Sequence, residues 1–234
     1  MSASPTHNMV RPDWLAATVE AALEPEQLVV DAHHHLYDRP GARYLLEEHL
    51  ADLYSGHDVR ATVLVQARAM YRTDGPPESQ PLGETEFANG VAAMSASGGY
   101  GPARVCAGIV GYADLRHGDA VRPLLERHLA AAGGPAGEGG RFCGVRHSLT
   151  WDSDSSLLNH AYPLSEDMME APAFRAAFAH LAPLHLSFDA WLFFHQLPRL
   201  AALAQAFEST PIVLDHCGGS LGVAGYAGRT GEVF

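Results

Sequence analysis

The sequence predicts an α/β fold of the (β/α)8, TIM-barrel type that stops after its sixth strand. Three observations carry this reading. Six short apolar runs recur along the chain, helical stretches lie between them, and nearly every run ends in a polar or titratable residue. Unbroken apolar runs mark parallel strands covered on both faces. Their mean spacing of roughly 37 residues suits a generous βα unit. An open doubly wound sheet shares this alternation, but no GxGxxG follows the first run, as a dinucleotide-binding fold of that kind would require. A closed barrel instead gathers the strand ends into one ring, where barrel enzymes keep their chemistry.

The elements follow in order. Residues 1–27 read as a polar leader and a short helix, capped by Asp13 and stopped by Pro25, with Trp14, Leu15, Val19 and Leu23 on one face. Residues 28–234 read as a partial barrel domain. Its strands open at LVVDA (Leu28), ATVLVQA (Ala61), VCAGIVGY (Val105), FCGVRHSL (Phe142), LHLSFDAW (Leu184) and PIVLDHCG (Pro211). Helices are expected from Glu84, Asp119, Pro172 and Leu197, and the final GEVF reads as the start of another. Gly/Pro-rich stretches at Thr73 and Gly133 and the polar stretch Thr150–Asp167 read as loops on one scaffold. A barrel of this repeat needs two more units, so the first and sixth strands are expected to be open on one side, inviting aggregation and leaving the chain inactive alone.

Composition removes several function classes. There are 27 acidic residues against 15 basic ones, a formal net charge of -12, which argues against nucleic acid or an anionic membrane as partner. Every basic residue is Arg; without Lys there is no Schiff-base chemistry, no phosphate-binding P-loop and no carboxylated-lysine metal bridge. Three scattered cysteines, no signal-like leader and no membrane-length apolar run point to a soluble, cytoplasmic protein acting on a small molecule.

DAHHHLYD (Asp31–Asp38) is the sharpest chemical signal. Residues two apart on a strand share a face, so His33 and His35 point one way and His34 the other. Two imidazoles at a barrel mouth either ligate a divalent metal or hydrogen-bond a substrate carbonyl. IVLDHCGG (Ile212–Gly219) brings His216 to the end of the sixth strand. Asp215 is expected to face away from it by alternation, and Cys217 to be a small buried residue and not a nucleophile. In GVRH, Arg146 at the end of a buried strand calls for an anion: a substrate carboxylate, or a structural partner such as Asp31 or Asp189. Asp189 in SFDAW and Gln66 in VLVQA are further polar groups that can line a substrate site.

DAHHHLYD, VLVQA, GYADL, GVRH, SFDAW and VLDHCGG stand in the order found in the amidohydrolase-related (amidohydrolase 2) family, which the chain resembles over roughly residues 28–219. The branch it looks like contains sugar-acid and pyrone dicarboxylate lactonases. The resemblance implies a distorted barrel and a hydrolase that opens a lactone or related cyclic ester of a small carboxylated or hydroxylated compound. It implies that His33, His35 and His216 are catalytic, holding one zinc-like divalent ion or acting without metal, and that Arg146 binds substrate. The family's general-base Asp after the eighth strand has no counterpart here, and Asp189 stands where metal-dependent relatives often carry His. A metal-dependent non-oxidative decarboxylase on the same barrel and a non-catalytic remnant are the alternative readings.

Overall fold

The computed structural model describes residues 11–233. Its centre is a six-stranded parallel sheet whose spatial order follows the chain: β1 (Leu28–His34), β4 (Asp58–Val65), β5 (Arg104–Gly111), β6 (Phe142–Ser148), β7 (Ser187–Trp191) and β8 (Ile212–Leu214). The sheet curls into a half-barrel with helices on its outer face. The main helices are α2 (Leu46–Leu53), α3 (Leu82–Ala96), α4 (Arg122–Ala131), α5 (Pro172–Phe178) and α6 (Leu197–Ala206). Parallel neighbours joined by helical crossovers bring every strand's C-terminal end to the same rim. No helix among the described residues is long and apolar enough to cross a membrane.

The outer layer packs as parallel strands demand. Phe188 of β7 meets Phe178 of α5 with ring centroids 5.0 Å apart, and Phe178 meets Phe207 at 4.9 Å. On β6, Phe142 stacks on His128 of α4 at 4.9 Å. In an unbroken strand Arg146, four residues on, would share that outer face. It does not, because β6 pairs Phe142 with Ile109 but Gly144 with Val110. One extra residue, Cys143, forms a bulge, and beyond it the facing is reversed.

Several elements depart from the sequence reading. The first helix, α1, covers only Pro12–Leu15, with Arg11 and not Asp13 at its N-cap. Trp14, Leu15, Val19 and Leu23 are all exposed; with no surface to cover its apolar face, so short a helix has nothing to offset its nucleation cost. The first ten residues of the expected leader lie outside the described residues. A hairpin, β2 (Tyr37–Arg39) with β3 (Ala42–Tyr44), and α2 were not foreseen. The hairpin strands are too short and polar for a period to register, whereas α2 buries Leu46, His49 and Leu53 at helical spacing. β7 starts late because His185 takes a left-handed φ of 56°. The chain ends its description in a helical turn, Thr230–Val233, where GEVF suggested one. β1 and β8 form the sheet edges, and Leu28, Val30, Val213 and Leu214 are exposed there.

Candidate active site

β1 divides its histidines as alternation requires. His34 turns outward, where it stacks on His49 at 4.1 Å and its Nε2 lies 2.9 Å from the Thr62 hydroxyl. His33 and His35 share the other side, their ring centroids 4.9 Å apart, and His33 lies 5.0 Å from the ring of His216. The three predicted histidines therefore gather at one rim. His35 Nδ1 donates to the Val65 carbonyl at 2.7 Å. A carbonyl can only accept, so the proton sits on Nδ1 and the Nε2 lone pair is left for chemistry.

Asp215 corrects the alternation argument. β8 ends at Leu214, and His216 and Cys217 adopt left-handed φ values of 49° and 52°. The extended backbone that alternation needs has already ended, so Asp215 and His216 converge instead of diverging. Gly219 makes the tight coil possible: at φ 61°, a Cβ there would sit 1.9 Å from the Leu192 carbonyl oxygen. Cys217, expected to be buried, is exposed on this coil.

Arg146 joins the same group. Its Nε donates to Asp215 Oδ2 at 2.6 Å, and its Nη2 donates to His216 Nε2 at 3.2 Å. Its acidic partner is thus neither Asp31 nor Asp189. The guanidinium lies 5.9 Å from the Trp191 ring, and that ring meets His216 edge-on at 4.5 Å. Asp189 is buried and takes a hydrogen bond from the Ser187 hydroxyl at 3.3 Å. Burial, reinforced by the nearby Asp215 charge, pushes its carboxyl up to about 7. Gln66, at the exit of β4, is buried with its side-chain oxygen unpartnered among the described residues.

The imidazoles are held neutral. Burial pushes His33 down to about 4, although Asp215 pulls it the other way. Burial likewise lowers His35 and His216, with Arg146 adding to the effect. Neutral imidazole is the form that ligates metals and accepts protons. Among the described residues, donor atoms of His33, Asp215 and His216 lie within 4.8 Å of one another; His35 stands beside this set and Asp215 enters it. His33 Nε2 and Asp215 Oδ1 are buried without hydrogen-bond partners among the described residues. His33 Nδ1 is 3.6 Å from Asp215 Oδ1, too long for a hydrogen bond. Two imidazoles, one carboxylate and unmet lone pairs suit a three-ligand divalent-cation centre with an open position.

Two further features escaped the sequence reading. Glu84, in the first turn of α3, accepts from the Ala67 and Ala69 amides at 2.8 and 3.1 Å and so pins the loop after β4. Its other oxygen and the nearby Tyr71 hydroxyl are buried and unpartnered among the described residues. Asp152 accepts from Tyr226 (2.8 Å) and the Asp154 amide (2.7 Å), and faces His195 at 3.0 Å, fastening the long loop to the end of the chain. No local motif announces either residue.

Comparisons with known proteins bear on the family and the fold. The amidohydrolase family pattern matches residues 30–230. An uncharacterized protein, y4mH, of Sinorhizobium fredii (strain NBRC 101917 / NGR234) is 29% identical over 212 residues, taking in 81% of this chain and 62% of the relative. Two crystal structures of an amidohydrolase from Burkholderia multivorans, one with bound HEPES and one with bound zinc, share the fold at TM-scores of 0.55 and 0.56. Both are 24% identical, covering 82% and 83% of this chain and 58% and 59% of the other. The chain thus spans about three-fifths of the length of these relatives.

Proposed function

The chain belongs to the amidohydrolase family, and from that premise we propose that it carries the reaction centre of a hydrolase that opens a lactone or related cyclic ester of a small carboxylated or hydroxylated compound. The single observation behind this reading is the convergence of His33, His35 and His216 on the buried Arg146–Asp215 pair. A divalent cation would be held by His33, Asp215 and His216, and the zinc in the Burkholderia multivorans amidohydrolase supports that choice. When bound, such an ion polarises a carbonyl and acidifies water.

The chain's own residues do the rest. His35, its tautomer fixed by Val65, accepts a hydrogen bond or proton from the attacking water at Nε2. Arg146 would bind an anionic substituent, with Trp191 as an apolar wall beside it. Gln66 and Asp189 line the flanks, and Asp189, with its raised carboxyl, can donate as well as accept near neutral pH.

The test is proton release from a panel of carboxylated and hydroxylated γ- and δ-lactones, followed by pH-stat with the purified chain, with and without added zinc. Turnover should fall by about a hundredfold or more in His35→Ala, with the fold retained by circular dichroism. Hydrolysis that survives in His35→Ala, or turnover of no lactone in the panel by either the chain or a full-length relative assayed beside it, would remove this reading.

A further inference from the structure

We infer that Arg146 and a divalent cation are alternative occupants of one cradle, so that cation binding displaces the guanidinium from Asp215 and His216 and frees it for the substrate. This rests on the cation reading above and concerns what the chain does around the ion.

Asp215 is fully buried in its side chain, and Arg146 is the cation that answers it at 2.6 Å. The same guanidinium reaches His216 Nε2 at 3.2 Å. A neutral imidazole has one lone pair, and here it is spent on Arg146. Two of the three candidate ligand residues are therefore already engaged by a protein cation. The engagement is incomplete, since His33 Nε2 and Asp215 Oδ1 remain unpartnered among the described residues, so the cradle offers more donors than a guanidinium can use. A small divalent ion can use all three, whereas a planar fork takes two.

Charge makes joint occupancy unfavourable. One carboxylate faces one guanidinium, a neutral pair; a divalent ion added beside it would leave two net positive charges in a poorly solvated pocket. Withdrawal is open to Arg146 because Trp191 lies alongside, 5.9 Å from the guanidinium carbon, and an aromatic face can hold an arginine released from its acid. Once withdrawn, Nε and Nη2 regain the fork geometry that binds a carboxylate through two hydrogen bonds. Cation loading and recognition of an anionic substrate would then be coupled through one side chain.

The experiment measures zinc affinity by competition with a chromophoric chelator for the wild-type chain, Arg146→Gln, Arg146→Lys and Asp215→Asn. In parallel, the Arg146 Nε–H resonance of the wild type is followed by NMR during zinc addition, which needs no variant to fold. Competition requires Arg146→Gln to bind zinc about tenfold or more tightly than wild type. Arg146→Lys, which keeps the charge but not the fork, should fall between, and the Nε–H resonance should shift on loading. Equal affinities with an unmoved resonance would overturn the competition while leaving the cation site standing. Zinc uptake by none of the proteins, or undiminished uptake by Asp215→Asn, would remove the cation site and the inference with it.

Discussion

Replacing Glu84 by Gln should make the protein gain stability relative to wild type as the pH rises from mild acid to alkali. Burial, partly offset by the Ala67 and Ala69 amides, raises the Glu84 carboxyl from 4.5 to about 7 in the folded chain. Unfolded, it ionises near its ordinary value; folded, it keeps its proton longer. Stability from this group is therefore fully present below pH 4.5 and is lost as the pH rises through 7. The shift corresponds to about 3 kcal/mol over the whole window, of which about 2 kcal/mol falls between pH 5.5 and 8.5. Gln keeps an oxygen for both amides and carries no charge, so its stability should lack this slope. Urea unfolding of both proteins across that range isolates the contribution of Glu84, because the other titrating groups cancel in the difference. The stability gap between variant and wild type should widen in the variant's favour by about 2 kcal/mol from pH 5.5 to pH 8.5. A gap that stays level or narrows as the pH rises would mean that the ionised carboxylate has a favourable partner, and the account of Glu84 as a desolvated loop pin would be wrong.

Gly219→Ala should cost about 3 kcal/mol in chemical denaturation, since a Cβ meets the Leu192 carbonyl in a left-handed backbone. Asp152→Ala should raise amide exchange across residues 150–167 and 220–229 while leaving β5 and β6 protected, because its three contacts bind loops and not the sheet. Unchanged exchange would mean that the loops are held by their aromatic contacts instead. Val30→Lys combined with Val213→Lys should lower the weight-average mass seen by sedimentation velocity, as charges on open strand edges oppose edge pairing.

The parts of the fold that could be read beforehand are those where one physical rule acts alone. A strand covered on both faces must be apolar throughout, so all six sheet strands stand out, and their polar exits mark the rim where His33, His35, Arg146 and His216 meet. Strand parity separated His34 from its neighbours for the same reason. The reading failed where backbone left the regular state. Asp215 joins the centre through residues at positive φ, and no residue type there except the glycines foretells such a turn. The N-terminal helix shows the opposite limit: its pattern was amphipathic, but a pattern needs a surface to bury against, and Val19 and Leu23 have none. Glu84 was hidden because its partners are amides, which every residue carries.

The extra residue in β6 has a bearing on how this chain can vary in length. Ile109 faces Phe142 and Val110 faces Gly144, so both sides of the bulge already match β5, and Cys143 alone is surplus to the ladder. Loss of its codon, with the reading frame kept, would leave Phe142 against α4 and Arg146 at the rim, giving up the Cys143 thiol's contact with the Ile109 carbonyl. A codon lost from β7, whose residues Ser187–Trp191 pair in unbroken step with Gly144–Ser148, would instead carry every later side chain to the wrong face. Among homologous genes, single-residue gaps should therefore be tolerated at this position and purged from β7.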